Sequence, residues 1–327
     1  MLVLSRREVE ELLDVDALID ALAGAMADLS TGGALAPNRV AAPVEDRDGL
    51  LAAMLGYTPS TGSLMSKLVT LFPRNAGTDL PTHQAVIAVF DPADGRPVAL
   101  LDGTVITAIR TAAGSALATR LLARAEVATL AILGTGVQAR AHATAVTRVR
   151  AFEELRVAGR DRDKAAALAE ELAGQVGVRA RAAESWEAAC DGADVVCATT
   201  AAAEPVVRRA WLRAGTHVTS VGFDPQGREV DDATVADALV AVESRAATLS
   251  APPAGSNDLV EPIARGLVEA DRIVEIGELV AGTRGGRTAA DQLTLYKSVG
   301  VAVQDGAAAT LVLEAARERG AGREVEL

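Results

Sequence analysis

The sequence feature that most constrains the fold is a glycine-rich turn, GTGVQA at residues 134–139, set between an apolar run and a predicted helix. At this spacing Gly134 can make a tight turn, Gly136 can let the backbone approach a pyrophosphate, and Ala139 can let the helix lie close to the strand. The N–H groups at the helix N-terminus would then face phosphate oxygens. The turn therefore predicts a dinucleotide site. Its cofactor contacts are predicted at Gly134, Thr135, Gly136, Val137 and Gln138.

Strand-like and helix-like segments alternate from residue 127 onward. The strands are predicted at 128–133, 155–159, 178–182, 194–200, 216–222 and 238–243, and the helices at 137–149, 162–173 and 185–190. This alternation is typical of a parallel sheet covered by helices on both faces. The fold class expected for residues 116–289 is therefore α/β, a Rossmann-type doubly wound domain.

The chain on either side of this domain has a different pattern. Strands are predicted at 50–56, 64–72, 84–90, 96–101 and 293–297, and helices at 16–29, 104–124 and 299–319. The turn DPADG at 91–95 separates two of the strands, which we expect to form an antiparallel hairpin. Residues 1–115 and 290–327 are therefore predicted to form a second, α+β domain built from both ends of the chain.

Composition limits the classes of ligand and partner. The formal net charge is −12, which disfavours nucleic acid as a partner and means that an anionic ligand needs a local cluster of cations. Cys190 and Cys197 lie in apolar contexts and are expected to be free thiols in a reducing cytoplasm. The three histidines show no metal-ligand spacing, so no metal site is expected. The apolar runs are too short to span a membrane.

The end of the second predicted Rossmann strand bears on the choice of cofactor. NAD-selective folds place an acidic residue there to bind the ribose hydroxyls. In this chain Arg160 takes that place and Arg162 lies nearby, which favours the 2′-phosphate of NADP. If the strand ends one residue later than predicted, Asp161 takes the acidic position, and NAD is then also possible.

Several charged residues interrupt segments that are otherwise apolar. Lys67 lies within the strand SLMSKLVTLF and Arg110 within the helix TVITAIRTAAGSA, while Arg39 follows Ala-Pro-Asn. Asp224 comes directly after the strand THVTSVGF, at the end where open α/β sheets bind their ligands. Each residue alone could be a surface or salt-bridged group. Together the three cations Arg39, Lys67 and Arg110 are what an acidic protein would need to bind a carboxylate.

The chain resembles the ornithine cyclodeaminase/mu-crystallin family over nearly its whole length. The matching segments are KLVTLFP at 67–73, LPTHQ at 80–84, DGT at 102–104, AIRTAA at 108–113, GTGVQ at 134–138, VG at 221–222 with Asp224, and LYKSVG at 295–300. The resemblance implies NAD(P)-dependent hydride transfer to or from the α-carbon of an amino or imino acid. It also implies a bilobed subunit whose first lobe binds the substrate and forms a homodimer.

The resemblance assigns roles to individual residues. Arg39, Lys67 and Arg110 would bind the substrate carboxylate, and Asp224 would act as acid/base or electrostatic partner of the substrate nitrogen. Lys67 could also exchange protons. Further cofactor contacts are implied for Thr199, Val221 and Ser298.

Two departures from the family pattern leave the substrate open. Ala52 lies about where members that cyclise ornithine carry a glutamate, and Arg228 replaces a usual lysine. The first hypothesis is therefore an NADPH-dependent reductase of cyclic imines such as pyrroline-2-carboxylate, reversible as an amino-acid dehydrogenase. The alternatives are ornithine cyclodeamination with catalytic NAD, and a non-catalytic NADPH-binding protein of the mu-crystallin type.

Overall fold

The computed structural model describes residues 1–224, 226–252 and 254–326. They form two compact units, one of residues 1–110 with the chain from Val301 onward, the other of Thr111–Gly300. The strands are β1 (Leu2–Leu4), β2 (Val40–Val44), β3 (Gly49–Thr58), β4 (Ser63–Leu71), β5 (His83–Phe90), β6 (Pro97–Asp102), β7 (Thr129–Leu133), β8 (Glu154–Ala158), β9 (Arg179–Ala182), β10 (Val195–Ala198), β11 (His217–Ser220), β12 (Leu239–Val242), β13 (Val274–Glu275), β14 (Thr294–Lys297) and β15 (Arg323–Glu324). The helices are α1 (Arg6–Leu12), α2 (Val15–Thr31), α3 (Gly103–Leu122), α4 (Val137–Val146), α5 (Arg162–Val176), α6 (Trp186–Cys190), α7 (Asp232–Asp237), α8 (Arg245–Thr248), α9 (Asn257–Ala264), α10 (Ile276–Val280) and α11 (Ala302–Arg319).

The first unit contains a seven-stranded sheet in the order β15-β1-β6-β5-β4-β3-β2. Its strands from β2 to β6 pair antiparallel, including the hairpin that the sequence predicted between β5 and β6. Helix α11 packs against β3, β4 and α2. The sheet therefore has one face buried, and Met54, Met65 and Ile87 belong to its core.

The other face of this sheet is apolar but exposed. Leu51 and Leu55 on β3, Leu68 on β4 and Val86 on β5 are exposed large hydrophobic residues. Leu68 lies directly opposite Val86 in the strand register, while Leu51 and Leu55 lie opposite Thr70 and Ser66. We call the face that carries these four exposed hydrophobic residues the outer sheet face.

The second unit contains an eight-stranded parallel sheet in the order β13-β12-β14-β11-β10-β7-β8-β9. Its chain order reverses between β7 and β10, because β8 and β9 continue on one side of β7 while β10 and β11 add on the other. This is the topological switch point at which open α/β sheets bind ligands. The predicted Rossmann-type class is confirmed. No helix in the described ranges has the length and apolarity needed to cross a bilayer.

The unit boundaries differ from the predicted domain boundaries. The units divide after residues 110 and 300, whereas the sequence suggested divisions after 115 and 289. The second difference arises because β14 pairs in parallel with both β11 and β12. A short apolar strand can join either sheet, and only its pairing partners decide which one. The short strands β1, β2, β13 and β15 and the helices α7 to α10 were not predicted.

Candidate functional site

The glycine-rich turn joins the ends of three strands in the second unit. Gly134 has a φ of +122°, and its N–H donates to the carbonyl of Ala158 at 2.9 Å. A Cβ atom there would lie 2.6 Å from Oγ1 and 2.9 Å from the carbonyl oxygen of Thr199. Both the backbone angle and the space require glycine, so the turn holds the ends of β7, β8 and β10 together.

The next glycine of the motif is open rather than crowded. Gly136 is the N-cap of α4 and has no side-chain cap, and a Cβ atom there would meet nothing within 4 Å. Ala139 is fully buried where the helix packs close to the sheet. Gln138 has a buried Oε1 without a hydrogen-bond partner among the described residues. The open space at Gly136 and the uncapped N-terminus of α4 fit a bound pyrophosphate.

The ribose end of the site contains three charged residues after β8. Asp161 is the N-cap of α5, and its Oδ1 accepts from the N–H groups of Asp163 at 3.0 Å and Lys164 at 3.1 Å. Arg162 donates to the carbonyl of Glu184 at 2.9 Å. Arg160 is exposed and has no ion pair within the described part of the chain. Of the three, Arg160 is therefore the group available to a ligand.

A buried charge cluster lies in the first unit. Lys67 points to the inner face of β4 and is 1% exposed, and Arg110 on α3 is 5% exposed. Both contact one carboxylate oxygen, Oδ1 of Asp305 on α11, Lys67 Nζ at 2.9 Å and Arg110 Nε at 3.1 Å. Arg110 also donates to Oε1 of Gln304 at 3.2 Å. We call Lys67, Arg110 and Asp305 the cation cluster.

The cation cluster has more positive than negative charge. Two cations share one carboxylate, whose other oxygen, Oδ2, is buried without a hydrogen-bond partner among the described residues. Burial lowers the pKa of Lys67 to about 8; the charge of Asp305 opposes this, while Arg110 and Arg39 add to it. Desolvation and then the charges of Lys67 and Arg110 lower the pKa of His83. A bound carboxylate would neutralise the excess charge.

Sequence reasoning found the cations of this cluster but missed their partners. Asp305 and Gln304 lie in a stretch of α11 that is otherwise buried and made mostly of small or apolar residues. The criterion that singled out Lys67 and Arg110, a charge within an apolar segment, also applies to Asp305. Burial opposes ionisation of Asp305, but the charges of Lys67 and Arg110 outweigh it and lower its pKa.

Asp224 lies after β11, at the carboxyl edge of the parallel sheet where it was expected. It is half-buried, and its Oδ1 accepts from the N–H of Gln226 at 2.9 Å. It lines a small pocket within the second unit. The other lining residues are Ala202, Gly222, Phe223, Gly227, Arg228, Glu229, Ser256, Asn257 and Asp258.

A second group of buried charges, not predicted from the sequence, lies beside this pocket. Lys297 Nζ contacts Oδ2 of Asp258 at 2.8 Å and lies 4.0 Å from Oε2 of Glu229. All three residues are buried. We call Lys297, Asp258 and Glu229 the Lys297 network. The apolar strand before Lys297 was recognised, but nothing local in the sequence indicated its partners.

Three predicted cofactor residues are the first residues after parallel strands. Thr199 follows β10, and its Oγ1 donates to the carbonyl of Leu133 at 2.8 Å. Val221 follows β11, and its N–H donates to the carbonyl of Ala198 at 3.1 Å. Ser298 follows β14, and its hydroxyl donates to Glu243. All three lie at the carboxyl edge of the sheet, and their contact with a cofactor stays a prediction.

The parallel sheet and the glycine turn at its switch point define a protein of the Rossmann-type, dinucleotide-binding class. Residues 1–320 match the model of the ornithine cyclodeaminase/mu-crystallin family, and the chain belongs to that family. The resemblance stated from the sequence is thus confirmed.

Relatives and solved structures agree with this assignment. The chain is 37% identical over 316 residues to ketimine reductase mu-crystallin of Mus musculus, covering 95% of this chain and 96% of the relative. It is similar to the structure of Thermococcus litoralis Δ1-pyrroline-2-carboxylate reductase in complex with NADH and L-proline, with a TM-score of 0.95, 37% identity and coverage of 99% and 100%. It is also similar to an archaeal alanine dehydrogenase dimer with bound NAD, with a TM-score of 0.91, 28% identity and coverage of 100% and 99%.

Proposed function

We propose that the enzyme reduces the C=N bond of a cyclic imino acid such as Δ1-pyrroline-2-carboxylate to the corresponding amino acid. The observation that carries this proposal is the cation cluster, in which buried Lys67 and Arg110 share the single carboxylate of Asp305. A substrate carboxylate supplies the missing negative charge. Arg39 is half-buried and close enough to Lys67 to affect its pKa, which supports a third contact to the same group.

The residues of the two units have distinct tasks in the proposed reaction. The glycine turn and the N-terminus of α4 bind the dinucleotide, which supplies a hydride when it is bound in the reduced form. The cation cluster fixes the substrate carboxylate and so orients the α-carbon. Asp224 stabilises the protonated imine, which accepts a hydride more readily than the neutral imine, and provides the proton on nitrogen. The products are the amino acid and the oxidised cofactor.

Asp224 gives the direct test of this mechanism. We expect Asp224→Asn to lower kcat by about 100-fold, the order of general acid–base catalysis, while the Kd for NADH or NADPH changes less than about twofold. Asp163→Asn, at an exposed position on α5, is the matched control and should retain full turnover. A kcat for Asp224→Asn equal to that of the unmodified enzyme would contradict the role of Asp224.

We propose that the preferred cofactor is NADPH rather than NADH. Support comes from Arg160, which is exposed after β8, and from Asp161, whose carboxylate already caps α5. The guanidinium of Arg160 suits a 2′-phosphate. The test compares Kd values for NADPH and NADH in the unmodified enzyme and in Arg160→Glu. We expect tighter binding of NADPH, and a reversed preference in the variant. Equal affinities in the unmodified enzyme would contradict the proposal.

Imine reduction is favoured over ornithine cyclodeamination by the surroundings of Ala52. This residue is buried on the inner face of β3, opposite Val69 on β4, so no carboxylate is present there to bind the second amino group of ornithine. The assay that distinguishes the two activities supplies ornithine with NAD. Release of proline and ammonia without net change in cofactor absorbance would favour cyclodeamination instead.

We also propose that the enzyme is a homodimer formed through the outer sheet face. The patch is apolar and solvent-exposed, which is unusual for the surface of a monomer. The similar archaeal alanine dehydrogenase is a dimer. A second copy of this chain is the occupant we infer, because the same sheet in a partner would present an equally apolar surface.

The cytoplasm is the location we propose, as expected from the cysteines. Cys190 and Cys197 are free and buried, and burial raises the pKa of each thiol to about 12. Both thiols are therefore protonated at neutral pH and take no part in the chemistry.

A further inference from the structure

The segment that carries Asp224 is anchored by buried groups rather than by Asp224 itself. The Asp224 carboxylate accepts a local hydrogen bond, from the N–H of Gln226. Two residues earlier, Gly222 is held at both of its backbone polar groups. Its N–H donates to Oε2 of Glu229 at 2.7 Å, and its carbonyl accepts from Nζ of Lys297 at 2.9 Å.

Glu229 also connects this segment to the ends of two neighbouring strands. Its Oε1 accepts from the N–H of Thr200 at 2.6 Å and from the Thr200 hydroxyl at 2.7 Å. Its Oε2 accepts from the hydroxyl of Ser220 at 2.7 Å. Since Thr200 follows β10 and Ser220 ends β11, one carboxylate fixes both strand ends relative to Gly222.

Asp258 holds Glu229 in turn. Its Oδ1 accepts from the N–H groups of Glu229 at 2.8 Å and Val230 at 2.9 Å, and its Oδ2 contacts Lys297. Lys297 also donates to the hydroxyl of Ser220 at 3.0 Å. The network therefore closes on itself, with nearly every polar atom of its three side chains engaged.

The backbone at Gly222 is packed so closely against the network that a side chain would not fit there. A Cβ atom on Gly222 would lie 2.0 Å from the carbonyl oxygen of Thr200 and 2.4 Å from Oε1 of Glu229. A Cβ atom on Gly227 would lie 2.5 Å from the carbonyl oxygen of Ala202. Gly222 and Gly227 are thus packed directly against the chain that follows β10.

Burying this network is costly, because it places two carboxylates and one ammonium in the protein interior. Its net charge of one negative unit lies next to the pocket that Asp224 lines. Buried ion networks are weak sources of stability but can fix one geometry among several. The chain segment that this geometry fixes is the one that carries Asp224.

We propose that the Lys297 network consists of positioning residues that hold Asp224 at the substrate nitrogen. This inference rests on the proposed role of Asp224 as the acid of imine reduction. Each charged group of the network is engaged by other protein groups, although Glu229 and Asp258 line the same pocket as Asp224. If the network acts by positioning, its effect on turnover passes through Asp224 and vanishes when the Asp224 carboxylate is removed.

The test measures kcat at saturating cofactor and imine for Glu229→Gln in two backgrounds. In the otherwise unmodified enzyme we expect kcat to fall about tenfold or more. The glutamine amide places an NH₂ donor against a backbone N–H group that now donates a hydrogen bond to Glu229. In Asp224→Asn the same change should alter kcat less than about twofold. A purely structural effect would lower kcat by the same factor in both backgrounds and would overturn the proposal.

Control variants distinguish a failure of this proposal from a failure of the proposed role of Asp224. Ser115→Ala removes another buried hydrogen bond of the second unit, to His142 at 2.9 Å, and should leave kcat unchanged. If Glu229→Gln does not fold, Ser220→Ala is tested by the same criterion, since it breaks the bridge between Glu229 and Lys297 without changing charge. No loss for Asp224→Asn alone would overturn both proposals. A loss for Asp224→Asn with none for Glu229→Gln or Ser220→Ala would overturn only the role of the network.

Discussion

Lys67 is a buried ammonium group whose charge is set by its immediate surroundings. Burial lowers its pKa to about 8; the charge of Asp305 opposes this shift, and Arg110 and Arg39 increase it. Desolvation, followed by the charges of Lys67 and Arg110, lowers the pKa of the neighbouring His83. Because the folded pKa lies below the ordinary value of 10.5, Lys67 is protonated below pH 8 and loses its proton as the pH rises through 8. Only the protonated form binds a carboxylate by charge.

This titration predicts the pH dependence of substrate affinity. We expect KM for the imine to be nearly constant from about pH 7 to 7.5 and to rise above pH 8, approaching about tenfold per pH unit as the ammonium is lost. The measurement is steady-state kinetics from pH 7 to 9.5 at saturating cofactor. In Lys67→Arg, which stays charged over this range, KM should be higher but should lack this rise. A flat KM in the unmodified enzyme would contradict the assignment of Lys67 to the carboxylate.

At the scale of elements, the turn between β7 and α4 combines a structural and a functional glycine. Gly134 is required by the fold, because its positive φ and its closeness to Thr199 exclude a side chain. Gly136 has an ordinary φ of −90° and open space around it. The fold does not require glycine at this second position, so the space is available to a ligand.

The two glycines should therefore respond differently to alanine. We expect Gly134→Ala to lower the free energy of unfolding by about 1–3 kcal/mol through strain and displacement of Thr199, and to weaken cofactor binding as well. Gly136→Ala should change stability by less than about 1 kcal/mol while raising the Kd for the dinucleotide at least tenfold. Urea unfolding and fluorescence titration measure the two quantities. Unchanged cofactor affinity in Gly136→Ala would place the pyrophosphate elsewhere.

At the scale of the whole molecule, the outer sheet face concerns assembly rather than catalysis. The inner face of the same sheet provides Lys67, while the outer face presents Leu51, Leu55, Leu68 and Val86. Side chains alternate between the two faces of a strand. One run of strand residues can therefore supply both a ligand site and a subunit interface.

A charged substitution on this face should separate the subunits. We expect the enzyme to sediment as a particle of two 33.5 kDa chains, and Leu55→Asp or Leu68→Asp to produce a folded monomer. Leu267→Asp is the matched control, because Leu267 is similarly exposed, at 45% against 54% for Leu55 and 42% for Leu68, but lies in the other unit. Analytical ultracentrifugation measures the mass. A monomeric unmodified enzyme, or a dimeric Leu55→Asp variant, would refute the interface.

The sequence by itself determined the features that depend on neighbouring residues. Hydrophobic alternation located β3 to β8 and α3 to α5 closely, and turn chemistry identified the hairpin between β5 and β6. The motif from Gly134 to Ala139 located the nucleotide-binding turn, because tight turns and close packing need particular small residues at fixed spacing. Asp224 was found because its strand and its position at the strand end are both local patterns.

Only the tertiary structure decided which distant residues meet. Lys67 and Asp305 are separated by 238 residues, and no local periodicity relates a charge on β4 to one on α11. The same holds for Lys297 and Asp258, and for β14, whose apolar residues would suit either sheet. Hydrophobic patterns specify that a segment is buried, but they do not specify which other segment it packs against. Charge partners are therefore fixed by strand order and helix packing, and these are properties of the whole folded chain.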